Sequence, residues 1–230
     1  MTNAAIILVN PEDSGNQWLL EKVNSKPFLH FQLSHMEDEF FKHVVIICSE
    51  QKAALQKVFG EVYLGIKITY LDWDTKSGEI GNIMQAFEYI DQMQAFVLQA
   101  AQHFRMNFSK SDDFRRMRSS NILLIAKKAA NKGCKRDKIF LNEKGQVIEI
   151  CRFDKTEDED TYNTNAWLIN KAYYQRNFQN QTGSLFQDYF KKEYLLSPLY
   201  CLACRQYFLH IDTKDDLNLA REDFAEYFYR

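Results

Sequence analysis

Short apolar runs separated by helical patterns constrain this chain more than any other feature of its sequence. The apolar runs cover residues 4–9, 43–48, 95–98 and 121–126, with an alternating β-branched run at 66–71. The helical patterns between them cover residues 27–40, 50–59 and 82–90. A short continuous apolar run is typical of a strand buried on both faces, as in a parallel sheet. The alternation therefore predicts an α/β fold with a mainly parallel sheet built from βαβ units.

The second half of the chain has a different pattern. Residues 138–141 and 146–151 are strand-like and flank a turn that contains Gly145, which predicts a β-hairpin. A further strand is predicted over residues 162–169, and helices over 111–118 (with a capping signal at Ser111), 171–178, 184–194 and 214–229. Since no repeat or linker divides the chain, we predict a single domain over residues 1–230, with a small hairpin lobe at about residues 135–170.

Composition excludes several kinds of partner. The 230 residues carry 29 lysines and arginines against 31 aspartates and glutamates, so there is no sign of the basic stripe that nucleic-acid binding needs. The amino-terminal stretch has no basic segment, and its apolar run is too short for a signal peptide or a membrane span. We therefore expect a cytoplasmic protein with no membrane span and no nucleic-acid partner.

The cysteines indicate a reduced, structural role. There are five, at Cys48, Cys134, Cys151, Cys201 and Cys204. The last two form a CxxC motif, but a redox CxxC normally opens a helix, whereas this one lies in a strand-like stretch. A zinc site would need a second pair of ligands, and the sequence has no matching pair. We predict that Cys201 and Cys204 are buried thiols.

Several motifs occur in the same order as in a known family. In chain order, the stretches 23–33, 77–86, 141–147, 162–171 and 208–217 are similar to segments written NGKPFLEYQL, LGTGGAIKNA, DENGRV, INAGIYLFNK and FIDIGTPEDL. Those segments are found in the sugar-1-phosphate nucleotidyltransferases, and the chain most resembles their heptose- and mannose-1-phosphate guanylyltransferase branch. The resemblance covers almost the whole chain. It implies a Rossmann-like, mixed but mainly parallel sheet of the GT-A-like type, with helices on both faces and a small β-hairpin lobe.

The resemblance also implies a reaction, in which a sugar phosphate attacks the α-phosphorus of a nucleoside triphosphate. Such a reaction depends on positioning, a divalent metal and positive charge around the phosphates. In the family, the loop after the first strand reads G-x-G-T-R and holds the triphosphate. Here the arginine is absent, Glu12 and Asp13 are acidic, and Pro11 lacks an N–H donor. Lys26 aligns with a non-catalytic Lys-Pro of the family; if it matched the other Lys-Pro, one phosphate contact would survive.

The metal ligands that the resemblance implies are missing as well. Ala101 stands where the family has its first metal aspartate, and His210 stands at the second. An alanine methyl group cannot bind Mg²⁺, which requires oxygen ligands. A cluster of His103, His210 and Asp212 for a transition metal is an unfavoured alternative. The family's Glu-Lys pair after the hairpin is also out of register, although Lys155 is a substitute candidate.

These losses lead us to expect a catalytically silent member of the family, with no catalytic residue, no metal and no cofactor. Asn10, Gly78, Gly81, Gln99 and Asn163 are the candidate lining of a remnant pocket for a nucleotide or sugar phosphate, although a tight turn and a surface strand explain Gly78, Gly81 and Asn163 equally well. We expect a regulatory or structural partner in nucleotide-sugar or surface-polysaccharide metabolism, paired with itself or with an active homologue.

Two alternatives stay open. The first is an active enzyme that uses Mg²⁺ with rebuilt ligands from Asp13, Asp72, Asp74 or Asp212, which predicts two carboxylates converging at the carboxyl ends of the first and fourth parallel strands. The second is a metal-independent sensor of nucleotides or sugars, which predicts an open cavity lined by Gly78, Gly81 and Asn163.

Overall fold

The structure is a computed structural model, and it describes residues 3–128, 137–151 and 161–227. The strands are β1 (Asn3–Leu8), β2 (Lys22–Val23), β3 (Lys26–Pro27), β4 (Phe41–Cys48), β5 (Val62–Tyr63), β6 (Ile66–Asp72), β7 (Gln94–Gln99), β8 (Gln102–Phe104), β9 (Ile122–Lys128), β10 (Lys138–Leu141), β11 (Val147–Cys151), β12 (Thr161–Asn170), β13 (Tyr200–Cys204) and β14 (Phe208–His210). The helices are α1 (Phe28–Asp38), α2 (Lys52–Phe59), α3 (Gly78–Phe87), α4 (Phe108–Met117), α5 (Lys171–Asn177), α6 (Lys191–Glu193) and α7 (Lys214–Tyr227), with a 3₁₀-helix at Ser14–Trp18 and a π-helix at Leu185–Phe190.

A mixed sheet forms the centre of the molecule. Its main strand order is β11-β10-β12-β7-β1-β4-β6-β5, and β9 joins it between β12 and β13. The pairs β7–β1, β1–β4, β4–β6 and β9–β13 are parallel, whereas β12 runs antiparallel to both β7 and β9. The predicted mainly parallel sheet is confirmed, with β1 at its centre. The hairpin of β10 and β11 is confirmed too.

Helices cover both faces of this sheet, because its central strands are apolar on both sides. On one face, Ala5 and Ile7 of β1 belong to the same apolar layer as residues of α1, α2 and α7. On the other, Ile6 and Leu8 belong to a layer with residues of α3, α5 and the π-helix. Successive side chains of a strand point to opposite faces, which explains how one short strand supports two layers.

Some helix boundaries differ from the sequence-based prediction. Helix α4 begins at Phe108 rather than at Ser111, because the side chain of Asn107 caps it by accepting a hydrogen bond from the Lys110 amide at 2.7 Å. Ser111 lies inside the helix and is buried. Helix α3 begins four residues earlier than expected, at Gly78. The predicted helix over 184–194 begins as a π-helix.

The two cysteines of the CxxC motif lie in β13 and are buried, as predicted. Their odd spacing in a strand points them to opposite faces, and they belong to the two different apolar layers. Burial raises the pKa of the Cys204 thiol to about 11 and raises that of Cys201 as well. Both are free thiols. Cys134, Lys155 and the acidic run at 157–160 lie outside the described residues.

No helix in the described ranges is long and apolar enough to cross a bilayer.

Candidate functional site

The carboxyl ends of β1, β4 and β7 meet at one edge of the sheet, the usual position for a ligand site in open α/β folds. The amide of Val9, just after β1, donates to the Ile47 carbonyl of β4 at 2.9 Å. The amide of Ala100, just after β7, donates to the Leu8 carbonyl of β1 at 2.9 Å. The segments that follow β1 and β7 therefore leave the sheet side by side.

The segment after β1 folds into a compact turn instead of an open, phosphate-binding loop. The Asn10 side chain accepts a hydrogen bond from the Glu12 amide at 3.0 Å, and its carbonyl accepts one from the Asp13 amide at 2.9 Å. Asp13 then caps the 3₁₀-helix by accepting from the Gly15 amide at 2.9 Å. The backbone amides of Glu12, Asp13 and Gly15 are thus hydrogen-bonded within the turn.

This turn packs directly on the segment after β7. A Cβ atom placed on Gly15 would lie 1.9 Å from the Ile211 carbonyl oxygen and 2.6 Å from the Cβ of Ala101. Ala101 is fully buried, and its carbonyl accepts a hydrogen bond from the Ile211 amide at 2.9 Å. Only glycine fits at position 15, because the three segments meet without room for a side chain.

Two carboxylates and an imidazole converge beside this contact. His210 Nε2 lies 2.7 Å from an oxygen of Asp212 and 3.9 Å from an oxygen of Asp13. One ligand atom from each of the three residues falls within 4.8 Å of the other two. The sequence analysis grouped His210 and Asp212 with His103 instead of Asp13.

The unfavoured alternative that placed His103 in this cluster does not fit the structure, which packs His103 against a neighbouring side chain. In the antiparallel ribbon of β8 and β14, His103 is paired with Leu209, the neighbour of His210, and therefore projects from the opposite face. The His103 ring packs edge-on against Phe224, with ring centroids 5.0 Å apart. Burial, assisted by the nearby His35 and Arg105, lowers the pKa of His103 to about 3. The residue is a neutral core histidine.

The other carboxylates considered as rebuilt metal ligands have separate partners. Asp72 forms a 2.8 Å ion pair with Lys52. Asp74 accepts hydrogen bonds from the Ser77 hydroxyl and the Lys76 amide, which lower its pKa. Of the four carboxylates, only Asp13 and Asp212 converge. Lys26, the alternative phosphate ligand, is exposed in β3.

The glycines at the start of α3 are packed against other parts of the chain. Gly78 has φ +60°, and a Cβ there would lie 2.7 Å from the backbone nitrogen of Gly183. A Cβ on Gly81 would lie 2.4 Å from the Cβ of Ser77. The amide of Ile80 donates to the Gly183 carbonyl at 3.0 Å. The segment around Gly183 therefore covers the start of the helix.

A buried carboxylate holds that covering segment, and sequence reasoning missed it. Glu79 is only 8% exposed, and its oxygens accept hydrogen bonds from the Leu185 amide at 2.8 Å and from the Gln99 side chain at 2.9 Å. Burial raises the pKa of Glu79 despite these hydrogen bonds. A glutamate in the first turn of a helix is usually solvated, so nothing in the sequence distinguishes this one.

The predicted lining residues all belong to this edge of the sheet, but they are used internally. The Gln99 side chain donates a hydrogen bond to Glu79, and the Asn10 side chain accepts one from the Glu12 amide of its own turn. Asn163 lies in the part of β12 that extends past the end of β7; its side chain is hydrogen-bonded to Asn165, and its amide donates to the Asp137 carbonyl at 2.9 Å. Their role as ligand contacts stays a prediction.

A cavity of about 350 Å³ lies at the other edge of the sheet. Arg118, Tyr173 and Tyr200 are among its lining residues, near the points where β9 and β13 begin. The sensor hypothesis expects a cavity lined by Gly78, Gly81 and Asn163; beside Gly78, that space is occupied by Gly183.

Comparison with known proteins identifies the fold. No protein-family model matches the chain. The D-glycero-alpha-D-manno-heptose 1-phosphate guanylyltransferase of Aneurinibacillus thermoaerophilus is 23% identical over 205 residues, covering 89% of this chain and 88% of that protein. Its namesake from Campylobacter jejuni is 25% identical over 198 residues, covering 84% of each.

Solved structures agree with these sequence relatives. HddC from Yersinia pseudotuberculosis superposes with a TM-score of 0.81 at 14% identity, over 97% of this chain and 100% of that one. The inositol-1-phosphate CTP transferase from T. maritima superposes with a TM-score of 0.70 at 13% identity, over 98% and 97%. The chain has the sugar-1-phosphate nucleotidyltransferase fold. Its sequence homologues are heptose-1-phosphate guanylyltransferases, which confirms the resemblance seen in the sequence.

The divalent metal that this fold family implies can be tested against the residues present. Mg²⁺ prefers an octahedron of oxygen ligands, which includes carboxylates and waters. At the two expected positions, Ala101 offers no ligand and is sealed by Gly15, and His210 offers a nitrogen. The donor set at these positions does not fit Mg²⁺, and no reaction step can be derived through that ion.

Proposed function

We propose that this chain is a catalytically silent nucleotidyltransferase-like protein, which acts as a regulatory or structural partner in nucleotide-sugar or surface-polysaccharide metabolism in the cytoplasm. The observation that carries the proposal is the contact of Gly15 with Ala101 and Ile211. It fills the place where the resemblance puts the metal aspartate. Without that carboxylate, nothing at position 101 can hold a metal against a triphosphate.

Electrostatics support the same conclusion. A triphosphate is stabilised by cations and by free backbone N–H groups. Here the turn after β1 uses several of its N–H groups internally, and its side chains include Glu12 and Asp13. Asp212 adds a third carboxylate close to Asp13. Like charges of this kind disfavour the anionic substrate.

The packing around α3 provides independent support. The resemblance implies that Gly78 and Gly81 let a nucleotide approach the backbone, but the Gly183 segment covers Gly78 and is held by Glu79. A nucleotide would have to displace a segment that is tied down by a buried carboxylate. The free energy needed to displace this segment would weaken nucleotide binding as well as slow catalysis.

One rival function is favoured by a specific observation. Asp13 and Asp212 converge near the carboxyl ends of β1 and β7, which is the arrangement expected of an enzyme with rebuilt metal ligands. Against this, both carboxylates lie beside His210 rather than at position 101, and neither replaces the missing loop cation.

The regulatory role is tested with an active relative. Guanylyl transfer by a heptose-1-phosphate guanylyltransferase from the same cell is measured alone, with an equimolar amount of this chain, and with an equal amount of an unrelated protein. We expect this chain, and not the unrelated protein, to change kcat or KM by at least about fivefold, the lower end of the couplings typical of allosteric regulation. Unchanged kinetics together with no complex by analytical ultracentrifugation would contradict the regulatory role with this partner, and self-association would then direct the test to a homo-oligomer.

A further inference from the structure

The cluster of Asp13, His210 and Asp212 is built from two distant parts of the chain. Asp13 belongs to the turn after β1, whereas His210 ends β14 and Asp212 follows it. Its ligand atoms all lie within 4.8 Å of one another, and His210 Nε2 is 2.7 Å from Asp212 and 3.9 Å from Asp13. The imidazole side chain is only 9% exposed, and that of Asp13 only 16%.

The negative charge of Asp13 is not balanced by a basic side chain in the described part of the chain. Within the described ranges, Asp13 has no lysine or arginine at ion-pair distance, and its one ionic neighbour is His210. Two carboxylates this close together repel each other. A dication between them would remove the repulsion and use both oxygens as ligands.

A second observation points to a ligand at the same place. Gln102 is directly opposite His210 in the β8–β14 ribbon, so the two side chains share a face. Gln102 is completely buried, yet neither its amide nitrogen nor its amide oxygen has a hydrogen-bond partner. The Nδ1 atom of His210 is also buried and without a partner. Buried polar groups are normally satisfied, so this pair is poised for a group that the chain does not supply.

We infer that Asp13, His210 and Asp212 form a binding site for a first-row transition-metal dication such as Zn²⁺, which fastens the turn after β1 to the end of β14. Two carboxylate oxygens and one imidazole nitrogen are three ligands that zinc commonly takes, and water completes the set on the exposed side of Asp212. The metal would bind the neutral imidazole through Nε2, so the single ring proton would be carried by Nδ1. The Nδ1–H then needs an acceptor, which the Gln102 amide oxygen on the same face can provide.

This site differs from the Mg²⁺ site of the fold family in its ligands and in its role. Imidazole favours zinc, copper, nickel and similar ions over magnesium. The ion binds at Asp13, His210 and Asp212 rather than at Ala101, and it needs neither a triphosphate nor turnover. The inference is therefore independent of whether the protein is catalytically silent.

The experiment is calorimetric titration of the full chain, stripped of metal with a chelator and then desalted. Zn²⁺, Co²⁺ and Mg²⁺ are compared on wild type, Asp13→Asn, His210→Gln, Gln102→Leu and the control His30→Gln. Asparagine is also a good helix cap, so Asp13→Asn removes the charge while keeping the turn. His30 hydrogen-bonds Tyr63 elsewhere in the fold and serves as a matched histidine. Circular dichroism melts confirm folding of each variant.

We expect one saturable Zn²⁺ or Co²⁺ site in wild type and His30→Gln, and no saturable Mg²⁺ site. Affinity should fall at least about 100-fold in His210→Gln and Asp13→Asn, and about 10-fold in Gln102→Leu. Zn²⁺ should raise the Tm of wild type but not of His210→Gln. Equal Zn²⁺ binding by wild type and both ligand variants, or no binding by wild type, overturns the site. Should His210→Gln fail to fold, Asp13→Asn decides. Pyrophosphate release in the same samples is a separate readout: metal-supported turnover would contradict catalytic silence and leave the metal site standing.

Discussion

Gly15 lies against Ala101, so closely that a Cβ on the glycine would be 2.6 Å from the Cβ of the alanine. The two residues belong to segments that follow different strands of the sheet, β1 and β7. The resemblance seen in the sequence implies that the matching segments of the family carry the phosphate loop and a metal aspartate. Here they close on each other, and this closure is the physical basis for the proposed loss of catalysis.

The first prediction concerns this contact. Gly15→Ala should lower the free energy of unfolding by about 3 kcal/mol, because the new methyl group overlaps the Ile211 carbonyl and Ala101. Ser14→Ala is the control, since Ser14 is exposed in the same 3₁₀-helix, and it should stay within about 0.5 kcal/mol of wild type. Urea denaturation measures both. A neutral Gly15→Ala would show that the turn can open.

The second prediction separates backbone strain from packing at Gly78. Gly78 and Gly65 both have positive φ, but a Cβ on Gly65 meets nothing within 4 Å. Gly65→Ala should cost only the strain, about 1 kcal/mol. Gly78→Ala should cost at least about 2 kcal/mol more, because its Cβ would lie 2.7 Å from the Gly183 nitrogen. Equal losses in parallel urea melts would mean that the Gly183 segment moves away freely.

The third prediction concerns the buried carboxylate that holds the covering segment. Glu79→Ala should destabilise the protein by about 3 kcal/mol, because it leaves the Leu185 amide and the Gln99 side chain without their acceptor. Glu79→Gln keeps one acceptor oxygen and should lose less. Glu88→Ala, at an exposed position after the same helix, should be nearly neutral. Thermal and urea denaturation rank the three variants by their free energy of unfolding. If Glu79→Ala were as stable as Glu88→Ala, Glu79 would not hold the covering segment.

The fourth prediction is a pH dependence set by His103. Its pKa is lowered from 6.5 to about 3 in the folded protein, so the unfolded chain binds a proton first as the pH falls. The stability contributed by the neutral histidine is complete above pH 6.5 and is lost progressively towards pH 3. Between pH 7 and 5 this amounts to about 2 kcal/mol. Burial lowers the pKa of His35 too, so a residual dependence is expected without His103.

The check is to compare wild type with His103→Leu by urea denaturation at both pH values. The loss of stability on acidification should be about 2 kcal/mol smaller in the variant. An unchanged loss would show that His103 accepts a proton in the folded state.

The patterns that the sequence predicted well are those carried by neighbouring residues. The apolar runs at β1, β4 and β7 became parallel strands because each is apolar on both faces, a local property. The strand assignment of Cys201 and Cys204 also held, since alternation along β13 is local. The sequence alone shows that position 101 is an alanine, whose methyl group cannot bind a metal ion.

Contacts between segments that are far apart in the sequence could not be predicted from the sequence. Glu79 reads as an ordinary acidic residue in a first helical turn until Leu185, more than a hundred positions later, donates to it. The choice of Asp13 over His103 beside His210 depends on the pairing of β8 with β14, and β8 was not predicted as a strand. The cap at Asn107 was missed because Ser111 and two aspartates offered a stronger local signal.

Nucleotidyl transfer itself tests the central claim most directly. Pyrophosphate release is measured for wild type and Ala101→Asp with each common nucleoside triphosphate and a panel of hexose- and heptose-1-phosphates, with Mg²⁺ present. An active heptose-1-phosphate guanylyltransferase serves as the positive control.

Removing one preorganised electrostatic contact typically costs about 10²–10³ in rate, and here the loop cation and the usual metal ligands are absent together. The new carboxylate of Ala101→Asp would also have to displace the Gly15 turn, so one substitution should not restore a site that works as a unit. We predict no turnover above background for either protein. Turnover by wild type near the ordinary enzymatic range of about 1 s⁻¹ or above would contradict the account.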